Sequence, residues 1–438
     1  MAGQENPFAP SAEELLASAA NAEVETVKKR LLIATDNFLP RWDGIARFLS
    51  EMIPRLRIHY DITVVAPDFG PYEDTSITLV RLPVSKTFKG GDFSIPKIKY
   101  FRLKQLVKNS DIIFCQSIGP IGGIALTLAH RLHKPVVSFI HSLETELVPR
   151  ALEGSWLPRK LVMNVTRWWM RRLYSRTTLL IVPSQSIVEH LAWEQIHVPT
   201  KEVHLGVDTV KFTPSLNKAE AKTALHLAPE DLVIGYHGRI AYEKDLMTLF
   251  RAFMRLQHKH ENIKLLLVGD GIEALKGMFK TRKGVVMVGM QSKPQDYLQA
   301  MDIYVLPSLT ETTSLSTLEA MSCGLPVIAT QVGFIKDYIK PGFNGLFFPK
   351  QQTYYLAAQL EKLLGSVQLR EMLGRNARMT VVNDFNWDIT AKGIEEALEE
   401  ARELWVAKMK RHKKSVFDKH AADVAKRHAE LNGTDRNA

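Results

Sequence analysis

Strand-length apolar runs that alternate with amphipathic helical stretches constrain this chain more than any other feature. In the first half, KKRLLIATD, DITVVAP, ITLVRL, DIIFCQS, KPVVSFIHS and TLLIVPS read as strands. Between some of them, GIARFLSEMIPRL and GIALTLAHRL carry apolar residues at helical spacing. This alternation implies parallel sheets, because parallel neighbours cannot be joined by a tight turn and need a crossover helix. A second series follows with DLVIGYHG, IKLLLVGDG, VVMVGM, DIYVLPS and LPVIAT. The break between the two series lies at HLGVDTVKFTPSLNKAEAK, where Gly206, Pro214 and a polar run interrupt the pattern. The expected fold class is therefore α/β, with two doubly wound units of similar size. Ligands of such sheets bind beyond the carboxyl ends of the strands, so the loops that follow strands are where chemistry is sought.

The totals remove several alternatives. At 438 residues the chain exceeds what one ordinary core organises. Its 2 cysteines, Cys115 and Cys323, both lie in apolar runs, which argues against a disulfide framework and suits a reducing compartment. No uninterrupted apolar stretch is long enough for a spanning helix. The first residues, MAGQENPFAPSAEELLASAANAEVE, are acidic and alanine-rich and do not read as a secretory signal. The net charge of +10 suits a phosphorylated ligand, an anionic membrane or nucleic acid. A nucleic-acid binder would need stacking platforms or a groove-reading helix, and no such module is recognisable, so no nucleic acid is expected as a partner.

The stretch ETTSLSTLEAMSCGLPVIAT joins the end of one strand to a helix and then to the next strand. A helix starting there presents free N–H groups and its positive dipole end, a site suited to phosphate. Thr312, Thr313 and Ser314 are small enough to let a ligand approach the backbone. Glu311 and Glu319, on either side, are placed to accept hydrogen bonds from vicinal hydroxyls. A sugar–diphosphate–ribose ligand has that order of groups. The alternative is a capping box in which Ser316 and Glu319 only tie down their own helix start. GYHGRIAYEKD also follows a strand and precedes a helix, and its Arg239 and Lys244 are candidates to clamp a diphosphate, with a solvated surface pair as the alternative.

In this order, GRIAYEKD and ETTSLSTLEAMSCGLPVIAT resemble the donor site of the family 4 retaining glycosyltransferases, which have the GT-B fold. The likeness runs from KKRLLIATDNFLPRWDGIARF to FNWDITAKGIEEAL. It implies two Rossmann-like domains facing across a cleft. Residues 1–28 would form a flexible leader, 29–206 an acceptor-binding domain and 207–384 a nucleotide-sugar-binding domain. Residues 385–410 would form a helix packing back on the first domain, and 411–438 a polar, basic, frayed tail. The resemblance implies that Glu311 holds the hydroxyls of the transferred sugar and Glu319 the ribose. Arg239 and Lys244 would bind the diphosphate, helped by Gly238 and the backbone from Thr312 to Leu315. The base would lie against Gly289 and Met290, with Gly269 of VGDG lining the same cleft. Relatives often carry glycines where this chain has Thr312, Thr313 and Ser314.

The acceptor half is read in the same way. Gly44 opens a helix after the first strand; by resemblance its backbone would approach the donor phosphate, and otherwise it is an ordinary helix-start glycine. His141, at a strand end, is either a packing residue or, by resemblance, a contact to the transferred sugar. Glu144 and Glu146 are weaker acceptor-side candidates, and Ser184 resembles a cleft-wall position but also serves as a helix N-cap. His190 and His197 lack companions for a metal, and no acidic pair after a strand suggests a metal–diphosphate site, so no metal is expected. Basic and aromatic residues interleave at KTFKGGDFSIPKIKYFRLKQLVK and SWLPRKLVMNVTRWWMRRLYSR, as in segments that lie in a headgroup region.

The expected activity is transfer of a hexose from a nucleotide sugar, UDP- or GDP-linked, to a hydroxyl, with retention and no cofactor. The resemblance makes the leaving phosphate the group that deprotonates the acceptor. The expected acceptor is a membrane lipid, and the expected location is cytoplasmic and peripheral, on the inner face of the cell membrane. Alternatives are a soluble acceptor or polysaccharide precursor, a nucleotide-sugar epimerase of the same fold, and a catalytically silent membrane adaptor.

Overall fold

The computed structural model describes residues 28–41, 43–90, 93–141, 144–145, 148, 158–311 and 313–434. The first lobe runs β1 (Lys29–Ala34), α1 (Gly44–Leu56), β2 (Tyr60–Pro67), β3 (Thr78–Leu82), β4 (Val84–Gly90), β5 (Phe93–Pro96), α2 (Tyr100–Asn109) and β6 (Ile112–Cys115). It continues through α3 (Pro120–Arg131), β7 (Val136–Phe139), α4 (Arg159–Tyr174), β8 (Leu179–Val182), α5 (Gln185–Trp193) and β9 (Thr200–Glu202). Seven of its strands form one parallel sheet in the order β3-β2-β1-β6-β7-β8-β9. Leu31 to Ala34 and Ile112 to Cys115 are buried throughout, as expected of central parallel strands covered on both faces.

The second lobe holds α6 (Lys218–Thr223), β10 (Leu232–His237), α7 (Leu246–Gln257), β11 (Ile263–Val268), α8 (Glu273–Lys280), β12 (Val285–Gly289), α9 (Pro294–Ala300) and β13 (Ile303–Leu306). Then come α10 (Leu315–Ser322), β14 (Val327–Thr330), α11 (Ile335–Tyr338), β15 (Gly345–Phe348), α12 (Thr353–Leu364) and α13 (Val367–Asp384). Its sheet order is β12-β11-β10-β13-β14-β15, again parallel. In chain order within the lobe this is 3-2-1-4-5-6, the doubly wound order whose direction reverses between its first and fourth strands. The first lobe reverses in the same way, between β1 and β6. Four loops therefore frame the two crevices: those after β1, β6, β10 and β13.

Four strands escaped the periodicity reading. β9 and β15 are short, and β4–β5 is an antiparallel hairpin whose Gly90-Gly91-Asp92 is a turn signal. The final helix, α14 (Trp387–Thr434), is continuous, so the helix does not stop at residue 410 and the tail to Thr434 is not frayed. Its sequence there is rich in Ala and Lys and has no proline, which favours helix.

α14 starts at the seam between the lobes and crosses onto the first. Trp387, Ala391, Ile394, Ala397, Leu398 and Ala401 are buried with Ile33, Phe48, Met52 and Val64 in the core on one face of the first sheet. The seam itself is backbone against backbone. The Val207 amide donates to the Phe385 carbonyl at 2.8 Å. A Cβ on Gly206 would sit 2.4 Å from the Asn386 carbonyl carbon, so only glycine fits. No helix among the described residues is long and apolar enough to cross a membrane.

Candidate functional site

The loop after β10 is built to hold its shape. Tyr236 is buried, and its hydroxyl donates to the Arg239 carbonyl at 2.8 Å. The Ile240 amide donates to Asp270 and the Leu309 amide to the Glu243 carbonyl, both at 2.8 Å, which ties this loop to its neighbours on either side. Gly269 belongs to that lacing: a Cβ there would lie 1.9 Å from the Gly238 carbonyl oxygen. The loop ends in a single 3-10 turn, Tyr242–Lys244, before α7.

Lys244 emerges from that turn toward the loop after β13. Its ammonium lies 2.5 Å from Glu311 Oε1, and the Ser308 hydroxyl donates to the same oxygen at 2.8 Å. The structure thus brings together the cation and the first glutamate singled out in the sequence, on adjacent switch-point loops. Arg239 is largely exposed on the same loop and pairs with Glu243 at 2.5 Å, one helical turn away. Thr312 lies outside the described residues. Thr313 Oγ1 is buried without a hydrogen-bond partner at the entrance to α10.

α10 starts at Leu315, and its N-cap is Ser314, whose Oγ accepts from the Thr317 amide at 3.3 Å. This excludes the alternative of a capping box at Ser316 and Glu319: Ser316 is already inside the helix, and its hydroxyl accepts from Tyr304 at 3.0 Å. Glu319 is fully buried and turned toward the other lobe. Its Oε1 accepts from the Arg47 guanidinium of α1. Its Oε2 lies 3.2 Å from His237 Nδ1, at the end of β10, without the alignment of a hydrogen bond. Burial pushes the Glu319 carboxyl up, but Arg47 and the His237 ring outweigh it and hold it below the usual range. The Arg47 contact also shows that the two crevices open toward one another. Leu315 packs against both cores at this junction.

On the first-lobe side, Gly44 is the first residue of α1, beyond Asp43, whose carboxylate accepts from the Ala46 amide at 2.8 Å as the N-cap. A Cβ on Gly44 would meet nothing within 4 Å, so the surface around it is open. His141 stacks on Phe139 with ring centroids 4.3 Å apart, and its Nε2 lies 2.9 Å from Gln116 Oε1, after β6. Burial pushes the ring down to about 3, so it is neutral at ordinary pH and can offer a hydrogen bond but no charge. Gln116 Nε2 has no partner. Asp36, after β1, accepts from the Ser117 hydroxyl at 2.5 Å and from the Ile121 amide at 2.8 Å, so it caps α3 from a distance.

Glu144 is buried, accepts from the Tyr174 hydroxyl at 2.8 Å, and is pushed up to about 7 by desolvation. Glu146 lies outside the described residues, as do residues 1–27 of the expected leader. Gly289 ends β12 and takes the Gly269 amide at 2.8 Å, while Met290 beside it is exposed. Ser184 holds the N-cap position of α5 but its hydroxyl pairs with Ser186 instead of the backbone.

The two basic–aromatic segments separate in space-filling terms. The first supplies β4, β5 and α2, where Tyr100 and Phe101 are exposed. The second is α4. There Arg167 and Arg171 share the one carboxylate of buried Glu194, at 3.0 and 3.8 Å, and Trp169 packs on the core. Leu161, Val165 and Trp168, the last 65% exposed, form an outward apolar stripe at helical spacing.

Arg47, His237, Gln116 and Asp36 were missed in the sequence. His237, which ends a strand, and Gln116, which follows one, had a usable signal at switch points; Arg47 had none, because its partner is 272 residues away.

Residues 217–380 match the family described as Glycosyl transferases group 1, and residues 42–211 match Glycosyltransferase Family 4. The alpha-monoglucosyldiacylglycerol synthase of Streptococcus pneumoniae is 23% identical over 78% of this chain and 80% of its own length. The sulfoquinovosyl transferase SQD2 of Arabidopsis thaliana is 31% identical over 61% of this chain and 52% of its own. Among solved structures, HepE of Anabaena in complex with UDP superposes with a TM-score of 0.69 at 17% identity, over 85% of this chain and 100% of that one. That likeness concerns the fold, which is GT-B.

Proposed function

The chain belongs to the family 4 glycosyltransferases, and from that premise we infer that it moves a hexose from a UDP- or GDP-linked donor to a lipid hydroxyl, with retention. The observation that carries this reading is the Lys244–Glu311 pair on adjacent switch-point loops, 2.5 Å apart, beside the start of α10. A departing diphosphate needs positive charge that is already in place. Lys244, Arg239 and the amide end of α10 would supply it without calling on a metal. Thr313, with its partnerless hydroxyl, faces the same demand. Glu311 would then exchange Lys244 for the hydroxyls of the transferred sugar, and Glu319 would receive the ribose. His141, neutral and held by Gln116, would orient the sugar near the bond that breaks. No side chain is needed as a nucleophile if the leaving phosphate takes the acceptor proton on the same face.

A lipid acceptor is supported by the outward stripe of α4, with Lys160 and Arg172 exposed beside it. An amphipathic helix of this kind rests in a headgroup layer, with its aromatic inserted and its cations against anionic lipid. The test is a screen of UDP and GDP for thermal stabilisation, followed by turnover of the matching nucleotide sugars with lipid extracts. Absence of stabilisation by either nucleotide refutes the donor site. For the surface, flotation with vesicles containing anionic phospholipid at low salt should retain the protein, and Trp168→Glu should release it. Equal retention of both would refute the α4 surface.

A further inference from the structure

Glu319 has no exposed surface, yet on the reading above it must accept hydrogen bonds from a ribose. A ligand hydroxyl cannot reach a fully covered carboxylate, so a covering group has to leave. Arg47 is suited to do so. It comes from the opposite lobe, on the first turn of α1 beyond Gly44, and its side chain is 22% exposed where Glu319 is covered. Its guanidinium stands 5.9 Å from the Phe212 ring centroid, a weak face contact that does not fix it. A guanidinium that gives up a buried carboxylate needs another anion, or its desolvation goes uncompensated. The donor brings one, since a nucleotide sugar delivers ribose hydroxyls and a diphosphate together. Glu319 would keep the His237 ring beside its other oxygen, 3.2 Å away, and gain the hydroxyls.

We propose that Arg47 is a partner-exchanging residue of the donor site: it pairs with Glu319 until a nucleotide sugar enters, then yields that carboxylate to the ribose and turns to the diphosphate. This rests on the donor-site reading of the previous subsection. It makes Arg47 a third cation on the leaving group, supplied by the acceptor lobe, and it couples donor entry to the contact between the lobes.

The experiment is calorimetric titration of the full chain with UDP and GDP and with the corresponding nucleosides, uridine and guanosine. Wild type is compared with Arg47→Ala, Arg47→Lys and Arg47→Gln. In Arg47→Ala the nucleoside should bind at least about tenfold tighter, because no ion pair has to break. The gain in affinity from nucleoside to diphosphate should shrink by about tenfold or more, the size expected for one charge-assisted contact. Arg47→Lys should lie between wild type and alanine in both respects. A residue that merely braces the lobes would weaken both ligands alike, and that outcome overturns the proposal, as does an unchanged nucleoside affinity. If the alanine variant does not fold, Arg47→Gln, which keeps most of the stem, is read by the same two criteria. Failure of wild type to bind either diphosphate would sink the donor-site reading itself, whereas binding with an undiminished diphosphate gain in the variants would sink only the exchange.

Discussion

Replacing Lys244 by alanine separates what the Lys244–Glu311 pair does for the fold from what it does for the reaction. The two side chains are 18% and 9% exposed, and among the described residues Glu311 would retain the Ser308 hydroxyl. At 2.5 Å and an effective dielectric of about 20, their gross attraction is of the order of 6 kcal/mol, much of it offset by the desolvation of both groups. Removing one partner of a buried pair costs about 3–5 kcal/mol, and the remaining hydroxyl places this case near 3. For a lobe of this size that corresponds to a fall in Tm of about 6–12 °C. The double variant Lys244→Met, Glu311→Gln strands no charge and should recover to within about 1 kcal/mol of wild type. Turnover should behave differently, falling by about 10²–10³ in Lys244→Ala and staying low in the double variant, because the leaving diphosphate has lost a cation in both. Scanning calorimetry and initial rates with the donor identified by the screen measure the two effects. A double variant no more stable than the single one would refute the electrostatic account, and near-normal turnover in either would refute the catalytic one.

Other consequences are sharp enough to measure. Glu144 is raised from its ordinary value to about 7 by burial, so the folded protein binds its proton more tightly than the unfolded chain. Its contribution to stability is therefore complete below about pH 4.5 and is lost as pH rises to about 7. Glu144→Gln should match wild type in acid and exceed it by about 2–4 kcal/mol above pH 7, read from denaturation at several pH values; a constant difference would contradict the assignment. Gly206→Ala puts a methyl 2.4 Å from the Asn386 carbonyl carbon, so the seam must part at a cost of about 3 kcal/mol or more, and urea denaturation matching wild type would show that the seam yields freely. Ile394→Ala, deep under the first sheet, should lose about 2–5 kcal/mol, and a loss below about 1 would mean that α14 is not anchored there.

The doubly wound sheets were legible because central parallel strands must be apolar on both faces, as in RLLIA and IIFC. β9, with the sequence TKE, lacks that signature because it closes an edge and is half exposed. Lys244 and Glu311 were legible because each follows a strand at a point where topology leaves a crevice. The cap of the helix α10 was not legible. Ser314, Ser316 and Thr317 all offer hydroxyls, and spacing does not choose among them; Leu315, at the helix start, packs against the cores of both lobes. That is tertiary information. The fate of Glu319 was hidden for the same reason: its spacing is compatible with a cap, a ligand contact or an ion pair, and only the approach of the other lobe shows Arg47 upon it.

The position of α14 has a consequence for how the molecule is made. The face of the first sheet that carries Ile33, Phe48 and Val64 is completed by Trp387, Ile394 and Leu398, which leave the ribosome long after Gly206. The lobe synthesised first is thus finished last, with its greasy side bare throughout translation of the other. Chains cut short before Trp387 keep that side exposed for good, and these fragments should be the sticky ones, however well the second lobe folds by itself.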